Sequence, residues 1–166
     1  ICTGKFFGGT MKNAAAGLYH LFHPDSVAVV GASNNFSKLG FHVMKSLTSG
    51  GYAGTLYPIN PAGEEIFGIR AYASLLKVPG PIDLVVVVVP AGLVPETFQQ
   101  CVTKNVRGIV LITAGFKEIE DIKGATLHEE IKTIVDLAGI PVIGPNTFGI
   151  VNYSNRLNAT FTPEFS

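Results

Sequence analysis

Six consecutive aliphatic residues, Leu84-Val85-Val86-Val87-Val88-Val89, five of them valine, leave little choice of local structure. β-Branched side chains are stiff in a helix, and a run that is apolar at every position suits a strand covered on both faces. The apolar stretch ends at Val94 and is interrupted by Pro90 and Gly92, well short of the roughly 20 residues that cross a bilayer. The positive mean hydropathy therefore points to a buried sheet and not to a membrane. With 47% apolar and 14% charged residues in 166, the chain has material for one well-covered core and is too apolar to be disordered.

The 12 Lys and Arg balance 12 Asp and Glu, so the counterion-release attraction that drives nucleic-acid binding has no source. Cys2 and Cys101 make neither a disulfide framework nor a metal pair, and the N-terminus carries no long apolar leader, which together lead us to expect a cytoplasmic protein.

Around the valine run the chain alternates short β-branched runs with helical patterns. Strands are expected at Val27–Val30, Thr55–Ile59, Ile82–Val89, Gly108–Ile112 and Pro141–Ile143, with Gly149–Asn152 a sixth candidate. Between the first two, Leu39, Val43 and Leu47 recur at helical spacing, with Ser37 as the expected cap and Gly50-Gly51 as the stop. A short helical turn is expected near Ser74–Leu76. A helix entered through Pro95 buries Val94, Phe98, Cys101 and Val102, which makes Cys101 a core residue and not a nucleophile. The stripe Leu127, Ile131, Ile134, Val135 and Ala138 predicts a long helix ended by Gly139. Strict alternation of this kind implies right-handed βαβ crossovers and a doubly wound α/β fold with a mostly parallel sheet. The expected organisation is an N-terminal extension over 1–20, one domain over 21–152, and a polar, unpatterned linker over 153–166 leading to a further domain.

Ligands of such sheets bind beyond the carboxyl ends of the strands, so the residues following each strand carry the information. After the first strand come Gly31-Ala32-Ser33-Asn34-Asn35-Phe36-Ser37-Lys38-Leu39-Gly40, after the second Asn60-Pro61, and after the third Pro90-Ala91-Gly92. The fourth is followed by Thr113-Ala114-Gly115 and the fifth by Gly144-Pro145-Asn146. Few of these groups can do acid–base or nucleophilic work. A helix N-terminus does favour an anion, and Lys38 in its first turn is poorly placed unless something negative sits beside it. A phosphate or diphosphate fits; the alternative is a lysine that points to solvent and glycines that serve only the turn. A dinucleotide oxidoreductase reading lacks both G-x-G-x-x-G and an acidic residue ending the second strand. A phospho-receiver reading lacks an Asp at the end of the third.

Taken in order, SVAVVGAS, YPINP, VVVVVPA, ITAGFKE, GPNTFGIVN and LNATFTP resemble the coenzyme A-binding domain of the NDP-forming acyl-CoA synthetases, a module also fused to some bacterial protein acetyltransferases. The resemblance runs from Leu21 to Pro163 and implies a three-layer, Rossmann-like fold that binds CoA. It implies that Gly31, Ser33, Asn34, Lys38, Leu39 and Gly40 surround the CoA diphosphate, and that Asn60 and Pro61 border the adenosine. Val89, Pro90 and Ala91, with Ile112, Thr113, Ala114 and Gly115, would line the adenine and pantetheine path, and Asn146 would lie near the thiol. Where the family often has a lysine beyond the second strand, this chain has Ala62, Gly63 and Glu64, and Arg70 is the candidate substitute for the 3′-phosphate. Ala114 replaces the Glu of succinyl-CoA synthetases, which places the chain nearer the ADP-forming acetyl-CoA synthetase branch. Thr147 stands where the family often has Cys.

The phosphorylated histidine of the family belongs to a domain beyond Ser166, and none of His20, His23, His42 and His128 falls in a matching motif. The chain by itself is thus expected to bind CoA or acyl-CoA without catalysis; ATP or ADP and Mg would be needed only by a longer parent, whose following domains or β-type subunit, and an oligomer, are the expected partners. A CoA-sensing module of a protein acetyltransferase, a stand-alone CoA-binding protein and, less closely, an NAD-binding domain are the competing readings.

Overall fold

The computed structural model describes residues 18–63, 65–116 and 122–162. Glu64, Lys117, Glu118 and the last residues of the tail, 163–166, lie outside them. The valine run forms the middle of a five-stranded parallel sheet of order β2-β1-β3-β4-β5. Its strands are β1 (Ser26–Val30), β2 (Thr55–Ile59), β3 (Leu84–Val87), β4 (Gly108–Leu111) and β5 (Val142–Ile143). Val27 pairs with Leu84 and Val30 with Val87, which places β1 and β3 side by side. Every residue of β1, β3 and β4 is buried, as an uninterrupted β-branched run requires when both faces are covered.

Alternation along these strands distributes the side chains between two apolar layers. Ala28, Val85, Val87, Ile109 and Leu111 face α2 (Val94–Thr103) and α3 (Ile122–Ala138), which contribute Phe98, Cys101, Ile131 and Val135. Val27, Val29, Leu84, Val86 and Val110 face α1 (Leu39–Ser49), through Val43, Met44 and Leu47. The second layer is completed by an antiparallel hairpin, β6 (Gly149–Asn152) and β7 (Leu157–Thr160). A short 3₁₀ turn at Leu75–Lys77 matches the turn expected near Ser74.

Several local expectations shift. β3 is shorter than the run: it spans Leu84–Val87 and the chain bends at Val89, although the Val88 N–H still donates to the Val30 carbonyl at 2.9 Å. Ser37 does not cap α1: Lys38 occupies the cap position without a side-chain bond, and Ser37 bonds the Asn35 side chain instead. Leu39 is 45% exposed, because the helix turns Gly40 inward against the first loop. Val102 and Ala138 lie outside the buried stripes of their helices. β6 pairs with β7 and not with the parallel sheet. Residues 157–160, read from sequence as part of a linker, are a buried strand whose Leu157 and Ala159 sit in the α1 layer. Residues 18–22 are helical, with Leu21 fully buried.

Cys101 is fully buried, and burial pushes its thiol well above the ordinary range. A thiolate is the reactive form, so a Cys2→Ser variant is expected to leave a colorimetric thiol reagent unconsumed in native buffer and to react fully in denaturant. Rapid reaction of the native protein would contradict this burial.

Candidate functional site

The chain leaves β1 toward α1 on one face of the sheet and leaves β3 toward α2 on the other, although β1 and β3 are neighbours. That divergence opens a crevice at their carboxyl ends, the usual ligand position in this architecture. Gly31 forms its floor with φ +94°, and a Cβ there would stand 2.9 Å from the Val88 carbonyl oxygen. A Cβ on Gly40 would collide with the Gly31 carbonyl. The two glycines thus seat the first turn of α1 directly on the loop, so that its free N–H groups and dipole point toward the crevice. No acidic residue occupies that turn, and Lys38, exposed at its start, adds a full positive charge.

The other loops are stitched to this one by hydrogen bonds. Gly31 N–H donates to Ile59 O at 3.1 Å, and the Asn60 side-chain amide donates to Ala32 O at 2.9 Å, joining the end of β2 to the first loop. Thr113 Oγ1 donates to Val89 O at 2.7 Å, joining the β4 and β3 loops, and Asn146 N–H donates to Thr113 O at 3.1 Å, bringing in the β5 loop. A Cβ on Gly115, whose φ is +104°, would sit 3.3 Å from Ala91 Cβ, so these loops are also in close packing.

All the residues singled out from sequence lie along this edge, but their side chains have different commitments. Lys38, Leu39, Pro61, Pro90, Ala114 and Asn146 are exposed and available to a ligand. Ile112 is buried in the α1 layer and offers only backbone. Ser33 is buried and its Oγ accepts the Asn35 N–H. Asn34, Asn60 and Thr113 are engaged by other parts of the protein. Arg70 is exposed and lies over the Tyr72 ring, 5.5 Å from its centroid; Tyr72 bridges to Ile59 at the end of β2. The sequence reading overlooked Asn35, whose Oδ1 accepts both the N–H and the hydroxyl of Ser37. The Asn-x-Ser spacing of an Asx turn was its signal.

A groove of about 590 Å³ lies at the opposite end of the sheet, among Val106, Arg107, Ile140 and Pro141. These residues precede β4 and β5, the wrong end for a ligand of such a sheet. No helix among the described residues is long and apolar enough to cross a membrane.

Residues 25–153 match the family model described as CoA binding domain. The chain is 44% identical over 142 residues to acetate–CoA ligase [ADP-forming] I of Archaeoglobus fulgidus, covering 86% of this chain and 20% of that protein. It is 42% identical over 144 residues to the alpha subunit of acetate–CoA ligase [ADP-forming] II of Pyrococcus furiosus, covering 87% and 31% respectively. The dinucleotide-forming acetyl-coenzyme A synthetase 1 of Ca. Korarchaeum cryptofilum, solved with phosphate and ADP, superposes with a TM-score of 0.82 at 40% identity, over 87% of this chain and 30% of that one. The chain therefore spans only a fifth to a third of these relatives. An anion-receptive crevice at the β1/β3 divergence and a family match that spans the whole sheet and the first strand of the hairpin agree: this chain belongs to the CoA-binding domain family.

Proposed function

We propose that the crevice holds coenzyme A for an ADP-forming acid–CoA ligase, with the CoA diphosphate over the first loop and the N-terminus of α1. The single observation that carries this placement is the seating of α1 on Gly31 through Gly40, with Lys38 as the cation at a helix start that no side chain caps. The nucleoside end then runs toward Asn60-Pro61 and Val89-Pro90-Ala91, and the pantetheine toward Thr113-Ala114-Gly115 and Asn146. Arg70, carried beside the end of β2 by Tyr72, is the cation nearest the proposed nucleoside end in sequence register and is the proposed partner of the 3′-phosphate. Among the described residues singled out along this edge, the side chains are amides, hydroxyls, aliphatic groups and the Lys38 cation rather than an acid–base pair, so in this reading the module binds and orients CoA while the chemistry of ligation belongs to further domains or a partner subunit in the cytoplasm.

Isothermal titration of the 166-residue chain with CoA tests the reading. A Kd in the micromolar range, about −8 kcal/mol, is expected, and absence of heat from folded protein would refute it. CoA, and not NADH, is expected to raise the melting temperature, since only a ligand of the native state stabilises it by mass action. Lys38→Ala is expected to weaken CoA about tenfold by removing a charge-assisted contact, with the melting temperature unchanged. A fall in stability with unchanged affinity would assign Lys38 a scaffold role.

A further inference from the structure

We infer that Asn34 is a positioning residue that fastens the nucleoside wall of the crevice to the phosphate loop, and not a ligand of the phosphates. Its Nδ2 donates to Glu65 O at 2.9 Å and its Oδ1 accepts the Phe67 N–H at 3.1 Å. One side-chain amide thus pairs with two backbone groups more than thirty residues away, as a neighbouring strand would, and these bonds fix its plane by engaging its oxygen and one of its two N–H groups.

The segment it grips needs such a fastening. After Asn60 the chain leaves the sheet and returns at Tyr72, where Asn60 N–H bonds Tyr72 O. Within that excursion, Ile66 and Ile69 exchange two backbone hydrogen bonds around a tight turn with φ +54° at Phe67 and +73° at Gly68. A non-glycine residue in the left-handed region is held there by its surroundings. Those surroundings are the Asn34 amide, the Phe41 ring 5.1 Å from the Phe67 ring, and the neighbouring Ile66, which is only 2% exposed. Asn60 supplies a strut in the other sense, donating to Ala32 O in the first loop. In parallel-sheet nucleotide sites the loop after the first strand meets the phosphates and the end of the second meets the ribose. Asn34 and Asn60 therefore join the two halves of one nucleotide pocket, and Asn34 sets how closely the 65–69 turn approaches the first loop.

The inference rests on the CoA reading only for its ligand arm, and its test separates the two. In the ligand-free chain, hydrogen exchange of the Phe67 amide is expected to accelerate in Asn34→Ala while core amides of β1 and β3 keep their protection. Asn34→Asp, which keeps the acceptor and loses the donor, is expected to retain Phe67 protection. Asn34→Ala is further expected to weaken CoA and adenosine 3′,5′-bisphosphate about fivefold, as for loss of two water-exposed hydrogen bonds, and to leave 4′-phosphopantetheine binding unchanged. Unaltered Phe67 exchange in Asn34→Ala overturns the fastening. Equal weakening of 4′-phosphopantetheine would make Asn34 a phosphate ligand and overturn the positioning role. If the unaltered chain binds none of the three, the CoA reading fails, and the fastening is decided by Phe67 exchange alone.

Discussion

Gly40→Ala is expected to lose about 3 kcal/mol of stability and to lose measurable CoA affinity with it, although the same change inside an ordinary helix stabilises by about 1 kcal/mol. The sign reverses because the Cβ of residue 40 would occupy the position of the Gly31 carbonyl, and the next nearest atoms, Gly31 C and Ala32 Cα at 3.1 Å for the latter, are also backbone. No side chain can rotate aside. Either α1 lifts away from β1, uncovering Val43, Met44 and Leu47, or the Gly31–Ala32 peptide tilts and closes the crevice floor. Gly92→Ala, with no heavy atom within 4 Å of its Cβ position, is the control and should change neither property. Urea denaturation and CoA titration of the two variants read both effects, and a Gly40→Ala protein as stable as the parent would mean that α1 does not sit on the loop as described.

The positions of the strands were legible because parallel strands buried on both faces leave continuous β-branched runs, and because the glycines and prolines that end them must turn the chain there. The second layer was harder to read. Leu157-Asn158-Ala159-Thr160 is too short for alternation to register, and its polar members are buried by bonding each other, Thr160 Oγ1 to Asn158 Oδ1 at 2.7 Å. Only α1 and β6 beside it reveal it as part of the core. On α1 the reading of the buried face failed at one residue. Val43 and Leu47 are fully buried as their spacing predicts, but the tight approach of Gly40 to Gly31 leaves Leu39 at the edge of that face.

The candidate loops were legible in position, and the commitments of their side chains were not. Loops at strand ends are given by the alternation of elements, so Gly31–Gly40, Asn60-Pro61, Val89–Ala91, Ile112–Gly115 and Asn146 assemble on one edge. Which polar side chains remain free for a ligand depends on partners distant in sequence. Asn34 meets Glu65 and Phe67, Asn60 meets Ala32, and Thr113 meets Val89. A polar residue in a binding loop therefore counts as a ligand only after its own hydrogen bonds have been accounted for.

Asp83→Ala is expected to cost about 3 kcal/mol while leaving the CoA affinity of the folded protein unchanged. Asp83 immediately precedes β3, at the end of the sheet opposite the crevice. Its Oδ2 accepts the N–H groups of Asp25 at 2.9 Å and Ser26 at 3.2 Å, and its own N–H donates to Ser26 Oγ at 3.0 Å. The carboxylate stands in for the partner that β1 lacks on its β3 side at Ser26, where pairing with β3 begins only at Val27. Its other oxygen pairs with Arg107 at 3.2 Å, the Asp side chain being 7% exposed and the Arg 54%. Removing the carboxylate strands a buried N–H at Ser26 without an acceptor, whereas the Arg107 head is free to rehydrate, so most of the cost arises at the backbone and little from the ion pair. Asp83→Asn keeps one acceptor oxygen and should recover about half of the loss. If Asp83→Asn were as destabilising as Asp83→Ala, the ion pair would carry the stability after all. Set against Gly40→Ala, the pair of variants separates scaffold from site: both lower the denaturation midpoint, and only the glycine substitution changes CoA binding per folded molecule.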